Sequence, residues 1–327
     1  MIQTVAWAVP PGSTAINRPT RLVSALTDLG VVHRDAPRIY HGRSPEEPGH
    51  RRAFTLLPGL SLRNAPDSAA LSPLYLAGLL RNVRWVDVYD DWSLAPDINP
   101  LYRVVSRLGY ELMKIRTLDG LRTANTPYMA SRIGGAHVVP NGVDEHWASA
   151  RRGLDDSKTL FMLGHFFDGR TDLALMATAL DSPVVDRVVI GGPGSDPRIL
   201  KIIGSRQQKD PERFHIVPWM TTQDIAEAAG PNTVALVPNV VDDYTRSQDL
   251  MKAYTFAALG LPVICPADLM PAAVPADLAV PVQPGDDLDA SLTDALHRQH
   301  GHGSDRSAFA QQNSWTQRAM AIARLLN

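Results

Sequence analysis

Residues 236–264 read LVPNVVDDYTRSQDLMKAYTFAALGLPVI. A strand, Val234–Pro238, leads into this stretch, a polar loop follows, and a helix is predicted over Ser247–Leu259, with a further strand at Pro262–Ile264. A helix that closely joins two strands in this way belongs to a parallel sheet with right-handed crossovers. The start of such a helix carries unpaired N–H groups and about half a positive charge, which suits a diphosphate. Lys252, within the first turn or so, adds a full charge. The same residues also read as a plain capped helix, with Ser247 and Asp249 serving its N-terminus.

Outward from this stretch the pattern repeats. In the first half, strands are predicted at Thr4–Val9, Ala53–Leu57, Arg84–Tyr89, Leu121–Ala124 and His137–Pro140. They alternate with helices at Arg18–Leu29, Pro73–Leu80, Leu101–Thr117 and Pro127–Ile133. After a charged stretch, Arg151–Lys158, strands are predicted at Thr159–Leu163, Arg187–Ile190, Phe214–Val217 and Leu278–Val282, besides the two already named. Helices fall at Asp172–Leu180, Thr222–Ala229, Leu288–His297 and Trp315–Leu326. The reading is α/β, with two doubly wound parallel-sheet domains of about equal size, a pairing that generally binds a ligand between its halves at the carboxyl ends of the strands. The expected boundaries are 1–148, 149–312 and a C-terminal helix, 313–327, returning to the first domain. His41–Arg52 is a polar, Pro/Gly-rich loop.

Composition narrows the function. With 327 residues the chain can bury about three quarters of its unfolded surface and needs no disulfide or metal staple. A net charge of −2 lacks the positive field of a generic nucleic-acid binder. One cysteine, Cys265, excludes a disulfide framework and a four-cysteine zinc site. No apolar run approaches the ~20 residues of a spanning helix, and Met1–Pro10 does not look like a signal peptide. The expectation is a soluble, cytoplasmic protein.

Several motifs then fall in a telling order. Lys252-Ala-Tyr-Thr-Phe-Ala-Ala-Leu-Gly260-Leu-Pro262-Val-Ile264 resembles the K-x-Y-E-Y-x-A-x-G-x-P-V-V signature of the retaining "glycosyl transferases group 1" (GT4-like) glycosyltransferases of the GT-B fold. Val139-Pro-Asn-Gly-Val-Asp144 is similar to that family's V-P-N-G-V-D, and Gly164-His-Phe-Phe-Asp-Gly-Arg170 to its G-x5-R loop. Val188-Val-Ile-Gly-Gly-Pro-Gly194, Asn17-Arg18-Pro19 with Leu22, and Asn313-Ser-Trp315 match further segments. The resemblance spans nearly the whole chain.

It implies two Rossmann-like domains facing across a cleft, with the donor held by the second. Arg170 and Lys252 would grip the diphosphate with the Ser247, Gln248, Asp249, Leu250 and Met251 amides, and Gly164 and Gly12 would approach it. Trp219 stands where the family contacts the nucleobase, or is a half-buried packing residue. The family's second lysine after Arg170 is missing, since Asp172, Leu173 and Ala174 stand there. Its paired glutamates are replaced by Ser247 and Thr255. Thr cannot accept two hydrogen bonds from a ribose diol as a carboxylate does. That departure points to a deoxyribose donor, a loosely held ribose, or a non-catalytic relative.

Trp85-Val-Asp-Val-Tyr-Asp90-Asp91-Trp92 resembles an acidic segment of some members, with Asp87 and Asp90 at its principal positions. Asp90 and Asp91 are the candidate catalytic carboxylates at a strand's carboxyl end, orienting or deprotonating an acceptor hydroxyl, or else capping a turn. Asp287-Leu-Asp289 is better read as a helix cap than as a metal motif. His297, His300 and His302 lack a partner pattern.

The implied activity is metal-independent, retaining transfer from a UDP-, dTDP- or GDP-sugar to a small hydroxyl- or amine-bearing acceptor, with no resident cofactor. A nucleotide-sugar epimerase and a pseudo-enzyme that binds without turnover are the alternatives.

Overall fold

The computed structural model describes residues 1–7, 17–36, 38–40, 68–71, 83–96, 99–115, 120–298 and 305–327. Gly12, the expected strand Ala53–Leu57, the expected helix Pro73–Leu80, the loop His41–Arg52, and both His300 and His302 lie outside the described residues. The chain divides into two compact units. The first comprises Met1–Gly142, Arg246–Asp249 and Trp315–Asn327, and the second Val143–Thr245 and Leu250–Ser314.

In the first unit, β1 (Thr4–Trp7), β2 (Arg38–Tyr40), β3 (Ser68–Leu71), β4 (Val83–Val88), β5 (Leu121–Ala124) and β6 (His137–Val138) form one parallel sheet in the order β2-β1-β3-β4-β5-β6. β4 is buried on both faces except at Arg84, as a strand covered by helices on each side must be. Val83, Val86 and Val88 pack with Tyr110 and Met113 of the helix Pro100–Ile115 and with Met129 and Ile133 of Pro127–Ile133. The helix Arg18–Asp28 starts where Asn17 Oδ1 accepts from the Thr20 N–H, with Pro19 in its first turn. It buries Leu22, Val23 and Leu26 and packs against the C-terminal helix Trp315–Leu326.

The second unit has β7 (Thr159–Leu163), β8 (Arg187–Gly191), β9 (Phe214–Val217), β10 (Thr233–Leu236), β11 (Val263–Pro266) and β12 (Ala279–Val282). Their order is β12-β11-β10-β7-β8-β9, all parallel, which is the doubly wound dinucleotide-fold order. Successive strand residues feed opposite cores. Phe161, Val189, Ala235 and Cys265 face Phe256 and Tyr254, while Leu160, Met162, Val188, Ile190 and Ile264 face Met176, Ile199 and Leu292. The apolar surroundings of Cys265 push its thiol pKa up, as suits a core residue.

Several features depart from expectation, among them the strands β2 and β3, which the sequence reading did not include. The helix expected from Ser247 begins at Met251, after a short helix at Asp243–Arg246. A 13-residue helix, Pro197–Lys209, follows β8, capped by Asp196, whose carboxylate accepts from the Arg198 and Ile199 N–H groups. A further helix occupies Asp305–Gln312. Among the described residues, no helix is long and apolar enough to cross a membrane.

Candidate functional site

In the order of the second sheet, β7 and β10 are neighbours whose following segments diverge, so their carboxyl ends mark the switch point where α/β sheets bind ligands. The segment after β7 runs from Gly164 to Asp172 and is laced to the end of β10. Thr171 bridges Asn239, the Val240 N–H donates to the Arg170 carbonyl at 2.9 Å, and the Asp172 N–H donates to the Pro238 carbonyl at 2.8 Å. Lys252, in the first turn of the helix Met251–Ala258, reaches back into this corner. Its ammonium lies against Gly164, where a Cβ would overlap Nζ and Cε, and Gly164 also has φ +121°, so glycine is required twice over. Nζ stands 5.2 Å from the centre of the buried Phe166 ring, and the Arg170 guanidinium 5.6 Å from that of Phe167.

The electrostatics are unusual. Burial, and then the Arg170 charge, bring the Lys252 pKa down to about 7 from its ordinary 10.5. Among the described residues neither cation is paired with a carboxylate. Among the described residues, Asn239 Nδ2, buried at the end of β10, has no acceptor. No side chain caps the start of Met251–Ala258. Two adjacent cations, an unsatisfied amide donor and an uncapped helix start are what an oxyanion would compensate. The loop beyond β8 adds Gly192 and Gly194 in the left-handed region, and a Cβ at Gly194 would press on the His165 ring at 2.8 Å.

The remaining expected donor residues are less concentrated. Trp219, two residues past β9, is 65% exposed, so it is not a half-buried packing residue. Thr255 donates its hydroxyl to the Met251 carbonyl at 3.4 Å within the same helix. Ser247, Gln248 and Asp249 are neither helical nor caps of the following helix. Their segment belongs to the first unit, where Ser247 Oγ accepts from the Asp91 N–H at 2.7 Å and its carbonyl accepts from Asn125 Nδ2 at 3.2 Å. The Asp249 carboxylate accepts from the Asn141 N–H, and its carbonyl accepts from Asn141 Nδ2 at 2.7 Å. These tertiary bonds, absent from any local reading, override the capping preference of Ser and Asp. Leu250 lies buried beside Met251. Asp287 caps its helix through the Ala290 N–H at 3.1 Å, and Asp289 takes the Ser182 hydroxyl.

In the first unit the three carboxylates of the acidic segment have separate tasks. Asp87 is fully buried and forms a two-pronged pair with Arg18, both bonds 2.8 Å, while the Thr123 hydroxyl donates to it at 2.6 Å. Arg18 also donates to Asn141 Oδ1 at 3.2 Å. Asp91, 1% exposed, accepts from Arg132 at 3.3 Å and from the Ser93 N–H at 3.0 Å, so it holds the turn rather than presenting a second carboxylate. Asp90 is half-buried and is the one non-glycine among the described residues with positive φ, +56°. Tyr110 secures that strained residue by donating to its carbonyl at 3.2 Å. The Asp90 carboxylate accepts from Asn125 Nδ2 at 3.5 Å and Gln248 Nε2 at 3.4 Å. Both amide nitrogens are thereby directed at acceptors, which leaves the buried Asn125 Oδ1 and Gln248 Oε1 without donors among the described residues. Asn125 was not singled out in the sequence; its place two residues after the Thr123 that faces Asp87 is the signal that could have found it.

Comparison with known proteins adds the fold. No family model matches the chain, and no curated protein sequence matches it. Among solved structures it is similar to AviGT4, a glycosyltransferase involved in avilamycin A biosynthesis, at 16% identity, covering 100% of this chain and 97% of that one with a TM-score of 0.57. HepE of Anabaena in complex with UDP-glucose is similar at 11% identity, 99% of each chain and a TM-score of 0.65. The lipopolysaccharide outer core galactosyltransferase WaaB follows at 12%, 98% of this chain, 99% of that one and 0.61. The architecture expected from the sequence, GT-B, is the one observed.

Proposed function

We propose that the chain is a glycosyltransferase that moves a sugar from a nucleotide-diphosphate sugar to a small hydroxyl- or amine-bearing acceptor in the cytoplasm. In this reading it acts with retention, in the GT4-like manner, and without a metal or resident cofactor. The observation that carries the reading is the Lys252–Arg170 pair at the β7–β10 switch point, with its charges uncompensated among the described residues and Lys252 held on Gly164. The likeness to HepE in complex with UDP-glucose supports it.

As the bond between the anomeric carbon and the diphosphate breaks, negative charge grows on the departing oxygen. Two fixed cations and the amides at the start of Met251–Ala258 stabilise that charge without reorganising. The acceptor oxygen bonds to the anomeric carbon, and its proton passes to the departing phosphate oxygen. Asp90 orients the acceptor hydroxyl. Trp219 offers an exposed ring for the base. Thr255, with no carboxylate for a ribose diol, favours a deoxyribose donor.

The test is nucleotide binding by thermal shift with UDP, dTDP and GDP. A charge-assisted hydrogen bond contributes about 1.5–3 kcal/mol, so Arg170→Ala and Lys252→Ala should each weaken diphosphate binding ten-fold or more. The native chain should bind dTDP at least as well as UDP, and Thr255→Glu should shift the balance toward UDP. Unchanged affinity in both cation variants removes the site, and a strong native preference for UDP removes the deoxyribose reading.

A further inference from the structure

Two buried amide oxygens of the first unit have no donor among the described residues. Asn125, 2% exposed, and Gln248, 9% exposed, each turn a side-chain nitrogen to the Asp90 carboxylate, at 3.5 and 3.4 Å. A carboxylate takes N–H donors and repels a carbonyl, so its charge fixes which way each amide is turned. Asn125 Nδ2 donates in addition to the Ser247 carbonyl at 3.2 Å, which holds the same orientation. Asn125 Oδ1 and Gln248 Oε1 are then the unmatched atoms. An amide's oxygen and nitrogen share one carbon, so each oxygen lies within about 6 Å of the carboxylate. A buried acceptor left unmatched is costly, and two beside one carboxylate mark a place for a partner that supplies donors. Asp90 itself is half-buried, so a molecule from solvent can reach this corner. The flanking carboxylates, Asp87 and Asp91, hold guanidiniums, those of Arg18 and Arg132.

We infer that this corner seats a protonated amine of the acceptor, held by the Asp90 carboxylate, Asn125 Oδ1 and Gln248 Oε1. The inference rests on the proposed reaction, whose acceptor it narrows to an amino alcohol or amino sugar. An ammonium has three donors, no acceptor and a positive charge, so it satisfies two neutral acceptors and one carboxylate together. A hydroxyl has a single donor, and its own lone pairs would face oxygens in turn. A bare divalent cation would want about six or more oxygens, and one carboxylate with two amide oxygens falls short. Among the described residues, no group of three or more His, Cys, Asp or Glu side chains could hold a metal. The ammonium is a handle and not the nucleophile, because a proton occupies its lone pair. A hydroxyl on the adjacent carbon meets the second carboxylate oxygen, and the sugar passes to that hydroxyl by the step already given.

The test compares glucosamine with glucose and N-acetylglucosamine as probes of the full chain. Ligand-observed NMR is read at about pH 6.5, where such an amine is protonated. Glucosamine is expected to bind about ten-fold or more tightly than glucose, because its bonds to the carboxylate are charge-assisted. N-acetylglucosamine, which carries no charge, should bind no better than glucose. Gln248→Met removes one acceptor and should cut the preference for glucosamine by about five-fold or more. Gln248→Glu returns an acceptor oxygen and should keep that preference, which a role confined to folding would not do. Circular dichroism checks both variants, and the native comparison stands by itself if either fails to fold. Equal binding of glucosamine and glucose overturns the inference, as does binding of none of the three probes or a preference unchanged in folded Gln248→Met. UDP binding is read in the same samples. An amine preference without UDP binding keeps the seat and removes the reaction, and UDP binding without an amine preference does the reverse.

Discussion

Lys252 is held where its own charge is disfavoured, and this gives the site a measurable dependence on pH. Its folded-state pKa is about 7, against 10.5 in its ordinary state. Between those values the unfolded chain keeps the proton and the folded chain has lost it. Stability of the ligand-free protein therefore rises with pH across that window and has no slope from this group below it. A bound diphosphate reverses the balance, because it favours the ammonium. Above about pH 7, binding must take up a proton, and affinity should fall by up to about ten-fold per pH unit. Titration calorimetry with UDP at about pH 8, in buffers of different ionisation enthalpy, counts that proton. Lys252→Met should abolish the uptake, and a native affinity flat across the window would place Lys252 outside the site. Lys252 was singled out in the sequence by its place near a helix start, and Arg170 and Gly164 by their resemblance to a family motif; the structure brings the three together. The depressed pKa was not legible there, since it depends on Phe166 and Arg170 being brought around the ammonium by segments far apart in the chain.

The elements read least well are those whose local signals are outweighed by tertiary bonds or are simply weak. Ser247 and Asp249 are favourable capping residues, yet Asp91, Asn125 and Asn141 engage them, and the helix begins at Met251. Pro197–Lys209 was missed because its apolar face is sparse, with Ile199 and Ile203 its buried residues, although Asp196-Pro197 is a good helix start. β3, Ser-Ala-Ala-Leu, has no branched or aromatic signal at all. The turn after β4 shows the opposite case, where the sequence found the right element and could not divide the work within it. Asp91→Asn should cost about 1–3 kcal/mol in urea unfolding, because the charged bond to Arg132 is lost, with turnover per folded molecule near native. Asp90→Asn should leave stability near native and lower turnover by about 10²–10⁴-fold with diphosphate affinity unchanged. The reversed pattern in the two variants would make Asp91 the acceptor-side group.

The first unit is assembled from three separated pieces of chain, and its integrity rests on the last of them. Trp315, Ala319 and Ile322 of the C-terminal helix are buried, Trp315 packs closely over Gly142, and Arg318 donates to the Asn141 carbonyl at 3.0 Å. Burial of a large apolar side chain contributes about 1.5–3 kcal/mol, so a chain stopped at Ser314 should lose on the order of 5 kcal/mol from this unit. That is comparable with the whole stability of a domain. Calorimetry of the truncated chain should show the transition of the second unit retained and that of the first lowered or lost; one undivided, unshifted transition would contradict this. The order of synthesis adds a consequence. Domains made first on the ribosome generally fold first. Here the amino-terminal unit must wait for residues 246–249 and 315–327, so the unit encoded later can mature earlier. At about 5–20 residues per second the nascent amino-terminal strands stay unfinished for tens of seconds. During that interval their unpaired edges stand open to pairing with those of other nascent chains.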